Sequence, residues 1–318
     1  MWSVTNIVLE AQNLSKSYNG LQAVKDLSLK VEEGEVFGFL GPNGAGKTTT
    51  INMLCGLLRP DSGLVLLHGK AVTNGSKETK AMVGVCPQNI VLWSKLTCLE
   101  QLIFVAQMYD LPERKARENA KRLLQELNLE EKSHKRAGTL SGGMQRRLNI
   151  AMALVHDPQI IVLDEPEAGL GPQSRVSVRE YIQSLSRKKT VILTTHNMDE
   201  ADRMADRVAI IDHGQLLVLD TTQALKAQTG DGDILEISLT NGLADAETAN
   251  RALIGFADKV SYEENSHSLH IRALNSIAHL PSILERLINA GFAPGEVKIR
   301  QNTLEDVFIQ LTGRRLRE

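Results

Sequence analysis

Short apolar runs alternate with stretches of helical period through the first two thirds of the chain. Residues 7–10, 35–40, 82–86, 160–163, 190–194 and 207–212 read as strands, and residues 47–58 and 145–155 as helices. Residues 160–163 and 191–193 carry no polar position, the pattern of central strands covered on both faces. This alternation predicts an α/β sheet packed by helices. Between residues 89 and 140 the period turns almost wholly helical, with 96–110 and 113–127 as the long elements. That block, about 89–158, is expected to form a helical subdomain inserted between two strands. A polar stretch at 227–233 reads as a linker between a domain at 1–226 and a second at 234–318. Beyond it the pattern runs strand 234–239, helix 244–254, strands 259–262 and 268–272, helix 277–290, strand 296–300 and helix 304–311. The first six follow the β-α-β-β-α-β order of a ferredoxin-like, small α+β domain.

Composition narrows the classes further. The 318 residues carry 36 Lys and Arg against 38 Asp and Glu, a formal net charge of −2. That balance gives no dominant basic surface for nucleic-acid phosphates, so no nucleic-acid partner is expected. No stretch reaches the roughly 18 apolar residues that cross a bilayer, and residues 1–10 lack a basic and then apolar leader. The expectation is a cytoplasmic protein whose membrane role comes through a partner chain. Cys55, Cys86 and Cys98 are odd in number and lack Cys-x-x-Cys spacing, which predicts reduced thiols and no structural zinc. The terminal Arg314, Arg315 and Arg317 read as solvated.

Gly41, Pro42, Asn43, Gly44, Ala45, Gly46, Lys47 and Thr48 fit Gly-x-x-x-x-Gly-Lys-Ser/Thr between a strand and a helix. The glycines let backbone N–H groups turn inward around phosphate oxygens, and the helix start adds unpaired N–H groups and a positive dipole end. Lys47 is placed to reach the β- and γ-phosphates, and the Thr48 hydroxyl to ligate Mg²⁺; Thr49 continues the ATP-binding set. Asp164 and Glu165 end the apolar run 160–163, at the strand edge where α/β proteins bind ligands. Asp164 suits Mg²⁺ and Glu165 suits an attacking water. The combination predicts a P-loop nucleoside triphosphatase.

Leu140 is followed by Ser141, Gly142, Gly143, Met144 and Gln145, which open a helix with a hydroxyl and bare amides, a second phosphate-binding start. Taken alone, Tyr18 reads as a half-buried loop aromatic, Gln88 as a strand end and His196 as a helix N-terminal residue. In order along the chain, these motifs resemble the ATP-binding subunits of ABC transporters over roughly residues 7–222. The resemblance implies two copies facing head to tail, each ATP lying on the phosphate loop of one copy and under residues 141–145 of the other. It implies Tyr18 stacking on adenine and Gln88 contacting Mg²⁺ and water while signalling to a membrane subunit. It further implies Glu165 as general base and His196 on the γ-phosphate.

The chain departs from that pattern at Gly171, where the family usually has aspartate, and at Glu167, where a small or hydroxyl-bearing residue is common. The expectation is normal ATP binding with slower hydrolysis. Residues 19–29, 37–50 and 303–313 are similar to the ATPases of daunorubicin-resistance-type exporters, which carry an extension of the length of 233–318. A separate permease is then expected to dock near residues 88–95, where Trp93 reads either as a docking aromatic or as core. The extension has no cluster suggesting a second active site, so it reads as regulation or dimer support. The alternative reading is a soluble or regulatory ABC-type ATPase with slow turnover and no permease.

Overall fold

The computed structural model describes residues 6–72, 76–228, 233–240, 245–257, 259–263, 266–273 and 276–313. Residues 1–5, the start of the helix expected at 244, part of the expected linker and the terminal arginines lie outside these described residues. The chain forms two compact units, dividing between Thr222 and Gln223.

The first unit opens with a hairpin of β1 (Ile7–Tyr18) and β2 (Leu21–Glu32). Asn19 and Gly20 both take positive φ (49° and 84°), the two-residue turn that matches strand twist. There follow β3 (Val36–Leu40), α1 (Lys47–Leu54), β4 (Ser62–Leu67), β5 (Lys70–Ala71), α2 (Lys77–Met82) and β6 (Val83–Cys86). The helical block holds α3 (Cys98–Met108), α4 (Glu113–Glu126) and α5 (Gly142–Leu154). After it come β7 (Ile160–Asp164), α6 (Pro172–Leu185), β8 (Thr190–Thr195), α7 (Met198–Met204), β9 (Arg207–Asp212) and β10 (Gln215–Thr221). Helix α8 (Thr222–Gln228) covers the first residues of the expected linker.

Five strands of the main sheet are parallel, in the order β9-β3-β8-β7-β6, with β10 antiparallel on the β9 edge. Alternate residues feed two cores. Ile161, Leu163, Val191 and Leu193 pack against the helices α3 to α6. Ile160, Val162, Ile192, Phe37 and Phe39 pack with α1 and the antiparallel sheet β2-β1-β4-β5. With both faces covered, these strands need no polar positions, which is why they read so plainly in the sequence.

The two largest boundary shifts have physical reasons. Helix α1 stops at Leu54 rather than at 58, because Gly56 turns left-handed (φ 66°) and the Leu57 and Leu58 N–H groups both donate to Asn52 O. Strand β1 runs to Tyr18 rather than ending at 10; register shifts along it let polar residues sit outward while Ala11 and Leu14 stay buried.

The second unit contains β11 (Asp233–Leu239), α9 (Ala246–Ala252), β12 (Lys259–Glu263), β13 (Ser268–Ala273), α10 (Ser276–Asn289), β14 (Pro294–Arg300) and α11 (Leu304–Thr312). Its sheet is antiparallel in the order β12-β13-β11-β14. Leu235, Ile237, Leu269 and Ile271 point from one sheet face into a core with Ala249, Leu253, Ile283 and Leu287 of the helical segments. Helix α11 begins with a capping box between Thr303 and Asp306, and Arg300 clamps Asp306 at 2.7 Å. Among the described residues, no helix is long and apolar enough to cross a membrane.

Candidate functional site

Strand β3, buried on both faces, delivers the 41–48 loop to the C-terminal edge of the sheet. A side chain at Gly41 would place its Cβ 2.2 Å from Ile211 O, and one at Gly46 (φ 101°) would meet Ala23 O at 2.4 Å. The loop therefore stays bare backbone where it turns. Gly46 caps α1 without a side-chain hydrogen bond, leaving the first-turn N–H groups suited to anion oxygens. Lys47 folds back across the loop, its Nζ donating to Gly41 O at 2.7 Å and Pro42 O at 3.0 Å. Burial holds this ammonium below its usual range, offset in part by Glu165 and Asp164.

A cavity of about 190 Å³ brings the expected groups together: Asn43, Gly44, Gly46, Lys47, Thr48, Thr49, Gln88, Asp164 and Glu165, with Ala23 at its side. Asp164 ends β7 and accepts from the Thr194 hydroxyl. Glu165 takes a left-handed backbone (φ 46°), uncommon for a residue other than glycine. Its N–H is held by Thr194 O and Oγ1, both at 3.1 Å. The buried carboxylate is gripped on both oxygens. Gln88 Nε2 donates to Oε2 at 3.0 Å, and His196 Nδ1 lies 2.7 Å from Oε1. Gln88, Glu165 and His196, 77 and 31 residues apart along the chain, thus form one cluster at the cavity. The oxygens of Thr48, Gln88 and Asp164 are hard donors and fit a Mg²⁺ ion.

The other expected residues lie outside that cavity. Tyr18 is half exposed at the tip of the hairpin, with the Lys16 ammonium 5.9 Å from its ring centre. Ser141 caps α5 by accepting the Met144 N–H at 3.4 Å, and Gln145 Nε2 donates to Ala137 O and Leu140 O. Ser141 and Gly142 are exposed. A Cβ at Gly143 would stand 2.2 Å from Ser174 Oγ, so this helix start needs glycine to sit against α6. Trp93 is exposed, edge-on to Phe104 at 5.3 Å, with Ile90, Val91 and Met108 exposed as well; the core reading of Trp93 falls.

Two residues and one contact lay outside the sequence reading. Thr194 supports both acids, and its signal was its place at the end of an apolar strand beside β7. Glu167 is fully buried because Arg179 of α6 clamps it through two bonds of 3.0 and 2.8 Å. Arg146 is buried beneath the site on backbone carbonyls alone, and residue type gives no sign of this.

The fold and site define a P-loop nucleotide-binding protein with an inserted helical layer. Residues 24–168 match the ABC transporter family model. The linearmycin resistance ATP-binding protein LnrL of Bacillus subtilis is 34% identical over 98% of this chain and 100% of its own length. The Nod factor export ATP-binding protein I of Burkholderia pseudomallei is 37% identical over 97% of this chain and 98% of its own. The solved structure of cbiO1 from Clostridium perfringens, part of the ABC transporter complex cbiONQ, superposes with a TM-score of 0.65 at 27% identity, covering 70% of this chain and 92% of that one. The chain belongs to the ATP-binding proteins of the ABC transporter family. It binds ATP and is an ATPase, of a kind that works with membrane permeases.

Proposed function

We propose that this chain powers a membrane exporter as a homodimer seated on a separate permease at the cytoplasmic face of the cell membrane. The observation that carries the ATPase part of this reading is the double grip on Glu165 by Gln88 and His196 beside the phosphate loop. The names of the full-length relatives, resistance to linearmycin and export of Nod factor, support outward transport. In this reading ATP lies on residues 41–49, with Tyr18 against adenine and Lys47 on the β- and γ-phosphates. Residues 141–145 of the partner copy close over it, their exposed helix start offering hydroxyl and amide donors. Thr48, Gln88 and Asp164 would hold Mg²⁺, which neutralises charge on the phosphates when bound. Glu165 takes the proton of the attacking water, and His196 faces the γ-phosphate. The exposed aromatic surface of Trp93 and Phe104 docks the permease. The second unit, read as a small ferredoxin-like domain, supports the dimer or regulates it.

Gly171 sets the expected rate. It stands exposed at the start of α6, and a Cβ there meets no atom within 4 Å among the described residues. Aspartate therefore fits sterically and caps α6 as well. Phosphate release is expected to require Mg²⁺, to vanish on chelation, and to be faster in Gly171→Asp than in the parent chain. Equal rates for the two would contradict the slow-turnover reading, and undiminished release after chelation would contradict the Mg²⁺ reading.

A further inference from the structure

Arg146 lies one residue beyond Gln145, in the first turns of α5, and is 1% exposed. All five of its N–H donors are used. Nη1 donates to Pro87 O at 2.6 Å and Gln88 O at 3.0 Å. Nη2 donates to Asp164 O at 2.7 Å and Glu165 O at 2.9 Å, and Nε to Pro166 O at 3.1 Å. No carboxylate oxygen is among these five partners. Burying a guanidinium without an anion is costly unless its geometry is fully satisfied, and here the planar fork joins two separate segments. One turn further along α5, buried Asn149 strengthens the same grip. Its Oδ1 accepts the Val91 N–H at 3.3 Å and its Nδ2 lies 3.1 Å from Cys86 Sγ.

We propose that Arg146 is a positioning residue for hydrolysis, fixing the Gln88 loop and the Asp164–Glu165 strand end to α5 so that all three move as one body. The exposed start of α5, at Ser141 and Gly142, is the end that engages the partner copy's nucleotide. A small displacement of α5 on that engagement passes through the guanidinium to five carbonyls, and so to Gln88 and Glu165 together. Each copy thereby aligns its own base according to whether its neighbour's ATP is in place. With all five donors on carbonyls, residue 146 acts through the backbone of Gln88, Asp164 and Glu165.

The inference rests on the ATPase reading above, and the test separates the two. Arg146→Lys keeps the charge but offers three donors from one point, which cannot reach both segments. Arg146→Gln removes the buried charge and keeps part of the hydrogen bonding. ATP turnover is measured per mole of folded protein, with the folded fraction taken from circular dichroism below each unfolding midpoint. The expected result for both variants is a kcat about 10- to 100-fold lower, the effect of a misplacement near 1 Å, with the KM for ATP little changed. That split marks an interaction needed to reach the transition state rather than to bind. An unchanged kcat, a rise in KM that accounts for the whole loss, or failure of both variants to fold would overturn the positioning role in favour of a structural anchor. A parent chain without ATP turnover would overturn the ATPase reading itself, and this inference with it.

Discussion

Glu165→Gln is expected to cut ATP turnover by about 100- to 10,000-fold, the span that a positioned general base contributes, while ATP binding persists. Glutamine has nearly the same shape, and its amide oxygen can still accept from Gln88 Nε2, which donates to Glu165 Oε2 at 3.0 Å. What it lacks is an acceptor for the proton of water. The carboxylate is buried and held on both oxygens, so glutamine fills the same place without supplying a base. Phosphate release and equilibrium binding of labelled ATP check this together. Turnover within a few-fold of the parent would remove Glu165 from the role of base, and loss of binding would make it a structural residue instead.

Lys47→Ala fails at the earlier step. Its ammonium is the buried cation of the phosphate loop, and hydrogen bonds to charged groups contribute about 1.5–3 kcal/mol each. Losing two such bonds to the β- and γ-phosphates is expected to weaken ATP binding by roughly 100-fold or more. The same labelled-ATP titration reads the outcome. Affinity unchanged from the parent would show that the backbone amides of the loop and the start of α1 carry the phosphates alone. The two variants thus divide binding from chemistry: the first keeps nucleotide and loses hydrolysis, the second loses both.

The elements covered on both faces were legible in the sequence, since burial leaves only apolar positions in β7 and β8. The phosphate loop was legible because its chemistry demands glycine at fixed places, as the contacts of Gly41 and Gly46 make plain. The antiparallel sheet was not found as such. In β2 only Leu27, Leu29 and Val31 alternate inward, while the intervening residues are solvated, so the period-2 signal is short. The Asn19-Gly20 pair flanked by those strands was the available sign. The clustering of Gln88, Glu165 and His196 followed from the resemblance and not from spacing, because the strand order β3-β8-β7-β6 is what brings their segments side by side. The supports of that cluster stayed hidden for a different reason. Arg146 acts through backbone carbonyls, for which a sequence read by side-chain chemistry has no term, and Thr194 holds the Glu165 N–H as well as the Asp164 carboxylate from a neighbouring strand. Glu167 was seen as unusual, but its partner Arg179 lies twelve residues on, where nothing marks it as a mate.

The central claim is that this ATPase drives a membrane exporter. It is tested most directly by affinity purification of the chain from native membranes in mild detergent, followed by identification of the proteins that come with it. The account predicts a polytopic membrane protein in stoichiometric amount, lost when Trp93 and Phe104 are both replaced by Ser. Recovery of the chain from the soluble fraction alone, with no such partner, would contradict it.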